Sequence, residues 1–445
     1  MKQKRILLIV IIFAVLAVMW VFILQNFLKI DQTKEQNALV QQGDTFVEKE
    51  LYVRAIDAYE AALDINTTEA KQNKIESKLL VAYLGYGDVN SFQRLAQSRI
   101  KRGVATEKDY QRLAKTYSNM YLYEDALEVC EKGVEQYPES EEISTMYDSL
   151  RFMYKENFLS VEQIKPDDES GKFAAYDGQQ WVYINDTGSI IYNVTFQDET
   201  PFYVDENGDG YAVVKAEGQY YVINDDGAMY GRDDTGVEEV LGIAAGHVIA
   251  KKDGKYGFYN YDFESSSSTH QYDLITMNSN GVVAIQDGGK WGIITDGGEE
   301  VIPLELDDVA INSVGQAFRG GNAMVKRGNS WELIDTEGNT VGSDKYSDAK
   351  APESNGLIAV ANESGKWGFI NHSGELVIDY QYSDAYSFSD GVAPVKTSDG
   401  WTYISEKNQE IVENHYEEAL PFHNGCAIAK FNGTYLTITF DNYDK

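Results

Sequence analysis

One aromatic position recurs along the C-terminal part of the chain and constrains its fold more than any other feature. Tryptophan or tyrosine occupies this position eight times, at intervals of 34 to 40 residues. The position carries five of the six tryptophans in the protein. Its members are Trp181, Tyr220, Tyr256, Trp291, Trp331, Trp367, Trp401 and Tyr435. This period predicts a repeat architecture, in which each unit buries an apolar face against its neighbours.

The unit at 357–390 shows why the repeats must pack together. Short apolar runs alternate with polar turns, which predicts three or four short strands in each unit. Within one such strand, Trp367 and Phe369 share a face, and Gly368 lets a neighbouring backbone approach on the other face. We therefore predict an all-β domain of eight units at 171–445. A propeller-like ring is favoured because it protects strand edges, and the alternative is an open linear array.

The repeated units resemble the WG-repeat family. The sequence Gly-Lys-Trp-Gly occurs at 289–292 and at 365–368. Glycine follows the aromatic residue in three units and is replaced by Val182, Tyr221, Glu332, Thr402 and Leu436 in the others. The resemblance covers more than half of the chain. It implies a bacterial cell-envelope protein from a family whose members mostly have no assigned activity.

Ring closure would require one more strand for the last unit. That unit provides strand-like segments at 426–430 and 435–439. The apolar segment 158–164 lies just before the first unit and has no obvious partner of its own. We expect this segment to complete the last unit and join the two ends of the ring.

The N-terminus contains an apolar run of 19 residues from Ile6 to Leu24. As a helix, it would be about 28 Å long, close to the hydrocarbon thickness of a bilayer. Basic residues precede the run, so the positive-inside rule predicts a cytoplasmic stub at 1–5 and a transmembrane signal-anchor helix at 6–28. The remainder would then be extracytoplasmic. A cleaved signal peptide is the alternative, but the bulky residues at the end of the run disfavour it.

Residues 33–157 show helical periodicity and resemble tetratricopeptide repeats. Two repeats are marked by Gly43, Phe46, Ala55, Tyr59 and Ala62, and by Tyr110, Leu113, Ala114, Tyr117, Ala126 and Pro138. A divergent repeat should lie between them, and 141–154 reads as a capping helix. The resemblance implies a protein-interaction surface. A rigid spacer that packs only on itself is the alternative.

Charge and cysteine content exclude several classes of function. The net charge is −33, and residues 171–445 contribute 44 acidic against 17 basic side chains. Such a protein is not expected to bind nucleic acid or anionic lipid headgroups. Its two cysteines, Cys130 and Cys426, lie in different segments and cannot form a disulfide framework or a CxxC metal site.

The sequence indicates no catalytic constellation. The histidines occupy unrelated repeat positions, belong to no HExxH or GxSxG motif, and are expected in surface loops. They are His247, His270, His372, His415 and His423. We therefore predict a protein that is not an enzyme and has no catalytic, cofactor-binding or metal-binding residues.

One acidic loop resembles a calcium-binding loop. The segment Asp205–Gly210 has oxygen ligands at its first, third and fifth positions and glycine at its sixth. The twelfth position, where a bidentate glutamate is needed, is Ala216. A polar turn is therefore the favoured interpretation, and no cofactor is predicted.

Together these features predict a membrane-anchored, extracytoplasmic, non-catalytic scaffold. Its expected partners are the membrane and other envelope proteins, which it would bind through its helical and β repeats. The alternative is a propeller that binds or processes envelope glycans. An exposed aromatic platform would favour that alternative.

Overall fold

The structure is a computed structural model that describes residues 2–65, 68–167, 170–204, 208–231, 235–244, 246–264 and 271–443. For residues 2–15, 17 and 23–29 only the backbone is described. The chain divides into two compact units, Met1–Arg151 and Phe152–Lys445. The first unit is helical and the second is built of strands.

The helical unit consists of antiparallel helix pairs. Its described helices are α1 (Lys2–Glu48), α2 (Tyr52–Leu63), α3 (Glu69–Tyr86), α4 (Val89–Lys101), α5 (Glu107–Asn119), α6 (Tyr123–Gln136) and α7 (Glu141–Arg151). A side chain at Gly43 would overlap the ring of Tyr59, so the small residue lets α1 and α2 approach closely. The pairing of small and aromatic residues that the sequence predicted for this repeat is therefore present.

A buried arginine joins the helices of the divergent middle repeat. The guanidinium of Arg99 lies 3.0 Å from Asp109 and 2.9 Å from Glu76, and it also donates to the main-chain oxygen of Asn73. Arg99 and Asp109 are both buried. This cluster connects α3, α4 and α5 where the sequence departs from the spacing of its neighbours.

The structure contradicts the predicted transmembrane helix at 6–28, and with it the predicted single-pass location. Among the residues whose side chains are described, no helix is both long enough and apolar enough to cross a membrane. Most side chains of the predicted span lie outside the described set.

Within the described residues, the strands of the second unit form eight separate antiparallel sheets, which we number as blades 1 to 8. Blade 1 comprises Gln163–Ile164, Phe173–Tyr176 and Trp181–Ile184, and blade 2 comprises Asp198–Glu199, Tyr203–Val204, Gly210–Ala216, Gln219–Asn224 and Met229–Tyr230. Blade 3 comprises Glu239–Ala244, His247–Lys252 and Lys255–Tyr259. Blade 4 comprises Leu274–Ile275, Val282–Asp287, Lys290–Thr295 and Glu300–Leu306. Blade 5 comprises Asp308–Val309, Asn322–Arg327, Ser330–Asp335 and Thr340–Tyr346. Blade 6 comprises Asp348–Ala349, Ile358–Ala361, Trp367–Ile370 and Leu376–Tyr382. Blade 7 comprises Asp384–Ala385, Val392–Lys396 and Trp401–Ser405. Blade 8 comprises Glu418–Ala419, Cys426–Phe431, Thr434–Phe440 and Tyr154–Phe158. This is an eight-bladed, propeller-like domain.

Each blade buries its faces against its two neighbours. Eight apolar clusters lie between successive blades, one for each neighbouring pair among the described residues. One cluster joins blade 8 to blade 1 by packing Ile428 with Phe173 and Val182. The order of blades therefore returns to its start, as a ring requires and an open array does not.

The ring is closed by a strand from the beginning of the unit. Tyr154–Phe158 pairs antiparallel with Thr434–Phe440, with Asn157 opposite Thr437. The prediction that a segment before the first repeat completes the last blade is confirmed, but the position within 158–164 was wrong. That segment shares only Phe158 with the closing strand, and Gln163–Ile164 is instead the first strand of blade 1. Residues 154–157, which the sequence assigned to the helical segment, belong to this strand.

Candidate ligand cavity and interaction surfaces

The first strand of most blades is only two residues long and is followed by a loop. In blade 5 this loop is extended, and we call residues 311–316 the crossing loop. The main-chain N–H of Met277 in blade 4 donates to Gly315, and Asn312 donates to the carbonyl of Pro352 in blade 6. The crossing loop thus contacts the loops of blades on both of its sides.

A buried polar cluster fixes the tip of the crossing loop. The hydroxyl of Ser313 lies 2.9 Å from Oε2 of Glu353 and 3.0 Å from Nε2 of His423. The main-chain N–H of Ser313 also donates to Glu353. These residues come from blades 5, 6 and 8, so the cluster connects two consecutive blades with a third that is more distant in the sequence.

The cluster contains a serine and a histidine, which are residue types found in nucleophilic sites. Glu353 lies 3.6 Å from the same Nε2 atom that faces the serine. Glu353 and His423 are only 2% and 6% exposed, so a substrate could not reach them without rearrangement. The arrangement is therefore best suited to holding the loop.

A cavity of about 630 Å³ lies beside the crossing loop. The first strands and following loops of blades 1 to 4 form its other walls. Its apolar lining includes Pro166, Pro201, Phe202, Val204, Leu241, Ile243, Leu274, Met277, Ile311 and Val314, and its polar lining includes Lys165, Asn278, Gln316 and Arg319. The cavity is thus mostly apolar with a few polar groups, as is usual for a ligand site.

An ion pair between a partly exposed lysine and a buried glutamate supports one wall of this cavity. Nζ of Lys165 lies 2.7 Å from Oε1 of Glu199, donates to the main-chain oxygen of the same residue, and stacks 4.6 Å from the ring centre of Trp181. Burial raises the pKa of Glu199 to about 7, although the positive charge of Lys165 opposes this rise. Glu199 stands where blades 6, 7 and 8 have alanine, namely Ala349, Ala385 and Ala419.

The row of repeated aromatic residues forms no stacking platform. Trp291, Trp331, Trp367 and Trp401 are buried between blades, and Trp181 is partly buried. Lysine ammonium groups lie over several of these rings, for example that of Lys326 at 5.6 Å from Trp331 and that of Lys396 at 5.7 Å from Trp401. Each of these lysines faces its aromatic partner across a strand pair. The row therefore packs the core, as the repeat pattern predicted.

The predicted surface histidines have different environments. His423 is buried, which corrects the expectation of a surface loop, and His372 lies between the side-chain oxygen of Asn322 and the carbonyl of Gly356. His247 and His415 are partly exposed, and His270 lies outside the described residues. Of the loop residues that were compared with calcium ligands, Asp205 and Asn207 also lie outside them. Across the described part of the chain, no three His, Cys, Asp or Glu residues are grouped to hold a metal.

Exposed apolar side chains mark the turns of the helix pairs. Tyr86 ends α3 and is 58% exposed, and Tyr121 lies in the α5–α6 turn and is 79% exposed. Other exposed apolar residues at these turns are Leu51, Val53, Met120 and Leu122. Turns at the same position of stacked helix pairs lie along one edge of the stack. We call these six residues the turn strip, and sequence analysis missed it because none of them is a motif position.

Comparison with known proteins supports the β repeats most clearly. The model described as "WG containing repeat" matches residues 256–291, 291–331, 367–401 and 401–435, which together make up less than half of the chain. Each match begins and ends at a member of the aromatic row. No curated protein matches the chain.

Three solved structures illustrate the similarities of the two units. The tetratricopeptide repeat domain of Sgt2 from Aspergillus fumigatus is 24% identical, with 26% of this chain and 76% of that chain covered and a TM-score of 0.23. Hsv2 from Kluyveromyces lactis is 10% identical, with coverages of 63% and 98% and a TM-score of 0.37. A catalytically inactive virginiamycin B lyase from Staphylococcus aureus with quinupristin is 13% identical, with coverages of 64% and 98% and a TM-score of 0.33. At these scores, the similarities carry no inference about function.

Proposed function

We propose that this protein is a non-catalytic scaffold that binds other proteins, with the turn strip as its main contact surface. The strip supports this proposal because it exposes aromatic and aliphatic side chains in three successive helix pairs. Exposed apolar groups that recur together are typical of protein-binding sites. The tetratricopeptide-like character of the helices agrees with such a role.

The charges around the turn strip suggest the chemistry of its partner. Acidic residues flank each turn, namely Glu50, Asp88 and Glu124, and the first turn also carries the basic residues Lys49 and Arg54. Asp88 caps α4 by accepting a hydrogen bond from the N–H of Ser91, and hydrogen bonding by Ser91 lowers the pKa of Asp88. A partner that fits this surface has an apolar face with basic side chains at its margins. The affinity should then fall as the salt concentration rises.

The glycan-binding alternative receives no support from the aromatic row. Stacking on a sugar requires an exposed ring face, whereas the row is mostly buried between blades. In the polar cluster around Ser313, the glutamate and the histidine are almost fully buried. We therefore favour protein binding over carbohydrate binding or processing.

The proposal is tested by capturing partners with the full chain and with the double variant Tyr86→Asp/Tyr121→Asp. The control is Tyr230→Asp, which changes a tyrosine of the β unit that is 47% exposed. We expect at least one protein from the source cells to bind the wild type and the control but not the double variant. Direct titration with that purified protein should give a Kd that rises with salt. If the double variant retains every bound protein, the proposal is wrong.

A further inference from the structure

The cavity beside the crossing loop is partly open to solvent and has mainly apolar walls. Its volume of about 630 Å³ lies within the range of about 300–1,000 Å³ that is typical of ligand pockets. Phe202, Leu241, Met277 and Val314 belong to its walls. Because the cavity is partly open, a small molecule can enter it from solvent, and binding would remove apolar surface from contact with water.

One wall is fitted around a flexible apolar side chain. A Cβ atom at Gly315 would come within 3.0 Å of Met277, and one at Gly242 would come within 2.8 Å of the same residue. Both glycines line the cavity, so Met277 occupies space that larger residues would deny it. Since methionine side chains adapt readily to the shape of their surroundings, this wall can adjust to a bound apolar molecule.

The charged groups of the lining are already engaged within the protein. Nζ of Lys165 lies 2.7 Å from Oε1 of Glu199, which is not part of the lining. Nη1 of Arg319 lies 2.9 Å from the side-chain oxygen of Gln316, and Arg319 makes a further interaction within the protein. The described part of the lining includes no Asp or Glu. A ligand charge of either sign would therefore lose hydration without meeting an unpaired opposite charge.

The net charge of the domain adds a further penalty for anions. Residues 171–445 carry 44 acidic and 17 basic side chains. This excess of negative charge repels anions from the domain as a whole. The cavity is thus suited to an uncharged molecule.

One uncharged polar side chain of the lining is available to orient such a molecule. The hydroxyl of Thr276 accepts a hydrogen bond from the main-chain N–H of Ala284, and the side-chain oxygen of Gln316 accepts from Arg319. In contrast, the amide of Asn278 lines the cavity and forms no hydrogen bond with another described residue. A carboxamide can both donate and accept hydrogen bonds, so it can bind a hydroxyl or a carbonyl group.

We propose that this cavity binds an uncharged small molecule with an apolar body and one hydrogen-bonding group. The apolar body would pack against Phe202, Leu241 and Met277, and the polar group would bond to the amide of Asn278. This activity goes beyond the scaffold role and uses a different surface. Failure of partner capture at the turn strip therefore leaves it standing, and its own failure leaves the scaffold role standing.

The proposal is tested by fluorescence titration of the full chain with two probes that share one apolar body. N-phenyl-1-naphthylamine is uncharged, and 1-anilinonaphthalene-8-sulfonate is the same molecule with an added sulfonate group. We expect the uncharged probe to bind roughly tenfold more tightly, because the sulfonate would lose hydration without gaining a partner. Equal affinities, tighter binding of the sulfonate, or no binding of the uncharged probe would overturn the proposal.

Three variants locate the binding. Val314→Trp should fill the cavity and abolish binding of the uncharged probe, whereas Leu304→Trp, at an exposed outer strand position, should have no effect. If circular dichroism shows that Val314→Trp does not fold, Ile311→Trp replaces it, because Ile311 lines the cavity and is partly exposed. Unchanged binding in the folded cavity variant contradicts the proposal.

The role of Asn278 is tested by competition with 1-decanol and decanoate, which share an apolar chain. The alcohol should displace the uncharged probe roughly tenfold more effectively than the carboxylate. Asn278→Leu should weaken displacement by the alcohol roughly three- to tenfold, as the loss of one hydrogen bond predicts. Equal displacement by the two competitors refutes the preference for an uncharged ligand. Unchanged displacement by the alcohol in Asn278→Leu refutes the hydrogen bond.

Discussion

The glycine that follows the aromatic residue allows a decisive test of how each blade packs. A Cβ atom at Gly368 would lie 2.6 Å from the carbonyl oxygen of Ile378, whereas ordinary contacts begin at 3.4 Å. The clash would be with backbone of the adjacent strand, Leu376–Tyr382, whose pairing with the strand of Gly368 is irregular at this point. Since backbone cannot rotate away, Gly368→Ala should destabilise the β unit by about 1–3 kcal/mol.

The same repeat position provides a matched control in blade 3. A Cβ atom at Gly257 would lie 3.4 Å from the hydroxyl of Tyr259, which is an ordinary contact. Gly257→Ala should therefore be neutral or stabilise the unit by about 0.4–1 kcal/mol through the unfolded state. Among the described residues, the outer side of the third strand of blade 3 carries an isolated bridge, between Tyr256 and Tyr272, in place of a paired fourth strand, and this leaves room for the added methyl group.

Urea unfolding of the full chain, followed by tryptophan fluorescence, measures both effects. Five of the six tryptophans belong to the β unit, so the signal reports mainly on that unit. The midpoint should fall for Gly368→Ala and stay or rise for Gly257→Ala. Equal midpoints for Gly368→Ala and the wild type would refute the close-approach explanation, as would an equally large fall for Gly257→Ala.

Three further predictions address the core, the helical unit and the cavity wall. Trp367→Ala should destabilise the β unit by about 3–5 kcal/mol in the same urea assay. Trp181→Ala should destabilise it by less, because Trp181 is only partly buried. Equal losses of unfolding free energy in the two variants would contradict the burial pattern. Arg99→Ala should leave Asp109 buried without its cation and destabilise the helical unit by about 3–5 kcal/mol. Circular dichroism of the helices measures this loss, and the tryptophan transition of the β unit should stay unchanged. A shift of the tryptophan transition alone would contradict the role assigned to Arg99. The pKa of Glu199 is about 7 in the folded protein and lower in the unfolded chain, so the folded state holds the proton more tightly. The stability of the β unit should therefore fall as the pH rises from about 4.5 to 7. Glu199→Gln should remove this part of the pH dependence, and identical urea midpoint profiles for variant and wild type would show that Glu199 does not titrate in this range.

Much of the β fold could be predicted from the sequence because one residue position recurs. The row from Trp181 to Tyr435 predicted the eight units, and the need to protect strand edges predicted the ring. The exact closing strand could not be predicted, because Tyr154–Phe158 directly follows α7 and contains charged residues that suit a helix as well as a strand. Pairing with Thr434–Phe440, far away in the sequence, selects the strand.

The apolar N-terminal run led to the wrong prediction of a membrane anchor. In the structure the run belongs to α1, which continues without interruption to Glu48 and packs on α2 through residues such as Gln36. Among the residues whose side chains are described, no helix is both long enough and apolar enough to cross a membrane, and this finding overturns the prediction.

The candidate sites could not be read from motifs. Ser313, Glu353 and His423 meet only because the ring brings three blades together, and their spacing in the sequence matches no motif. Arg99 is similarly hidden, because its partners lie on neighbouring helices. One available signal was the longer interval between Trp291 and Trp331, which contains the crossing loop. This interval is the longest of the seven in the row, and its extra residues form a wall of the cavity.

Ring closure is the central claim, and a cross-strand disulfide tests it most directly. Asn157 and Thr437 lie opposite each other, and their side chains are 3.4 Å apart. In the double variant Asn157→Cys/Thr437→Cys, mild oxidation should form an intramolecular disulfide, seen as faster migration of the monomer on a non-reducing gel. The control Lys155→Cys/Thr437→Cys places the thiols at diagonal positions, about 7–8 Å apart, where a disulfide is disfavoured. A closed ring predicts rapid and nearly complete oxidation of the first pair and little of the second. If the first pair oxidises no faster than the control, the chain does not close through this strand and the ring is wrong.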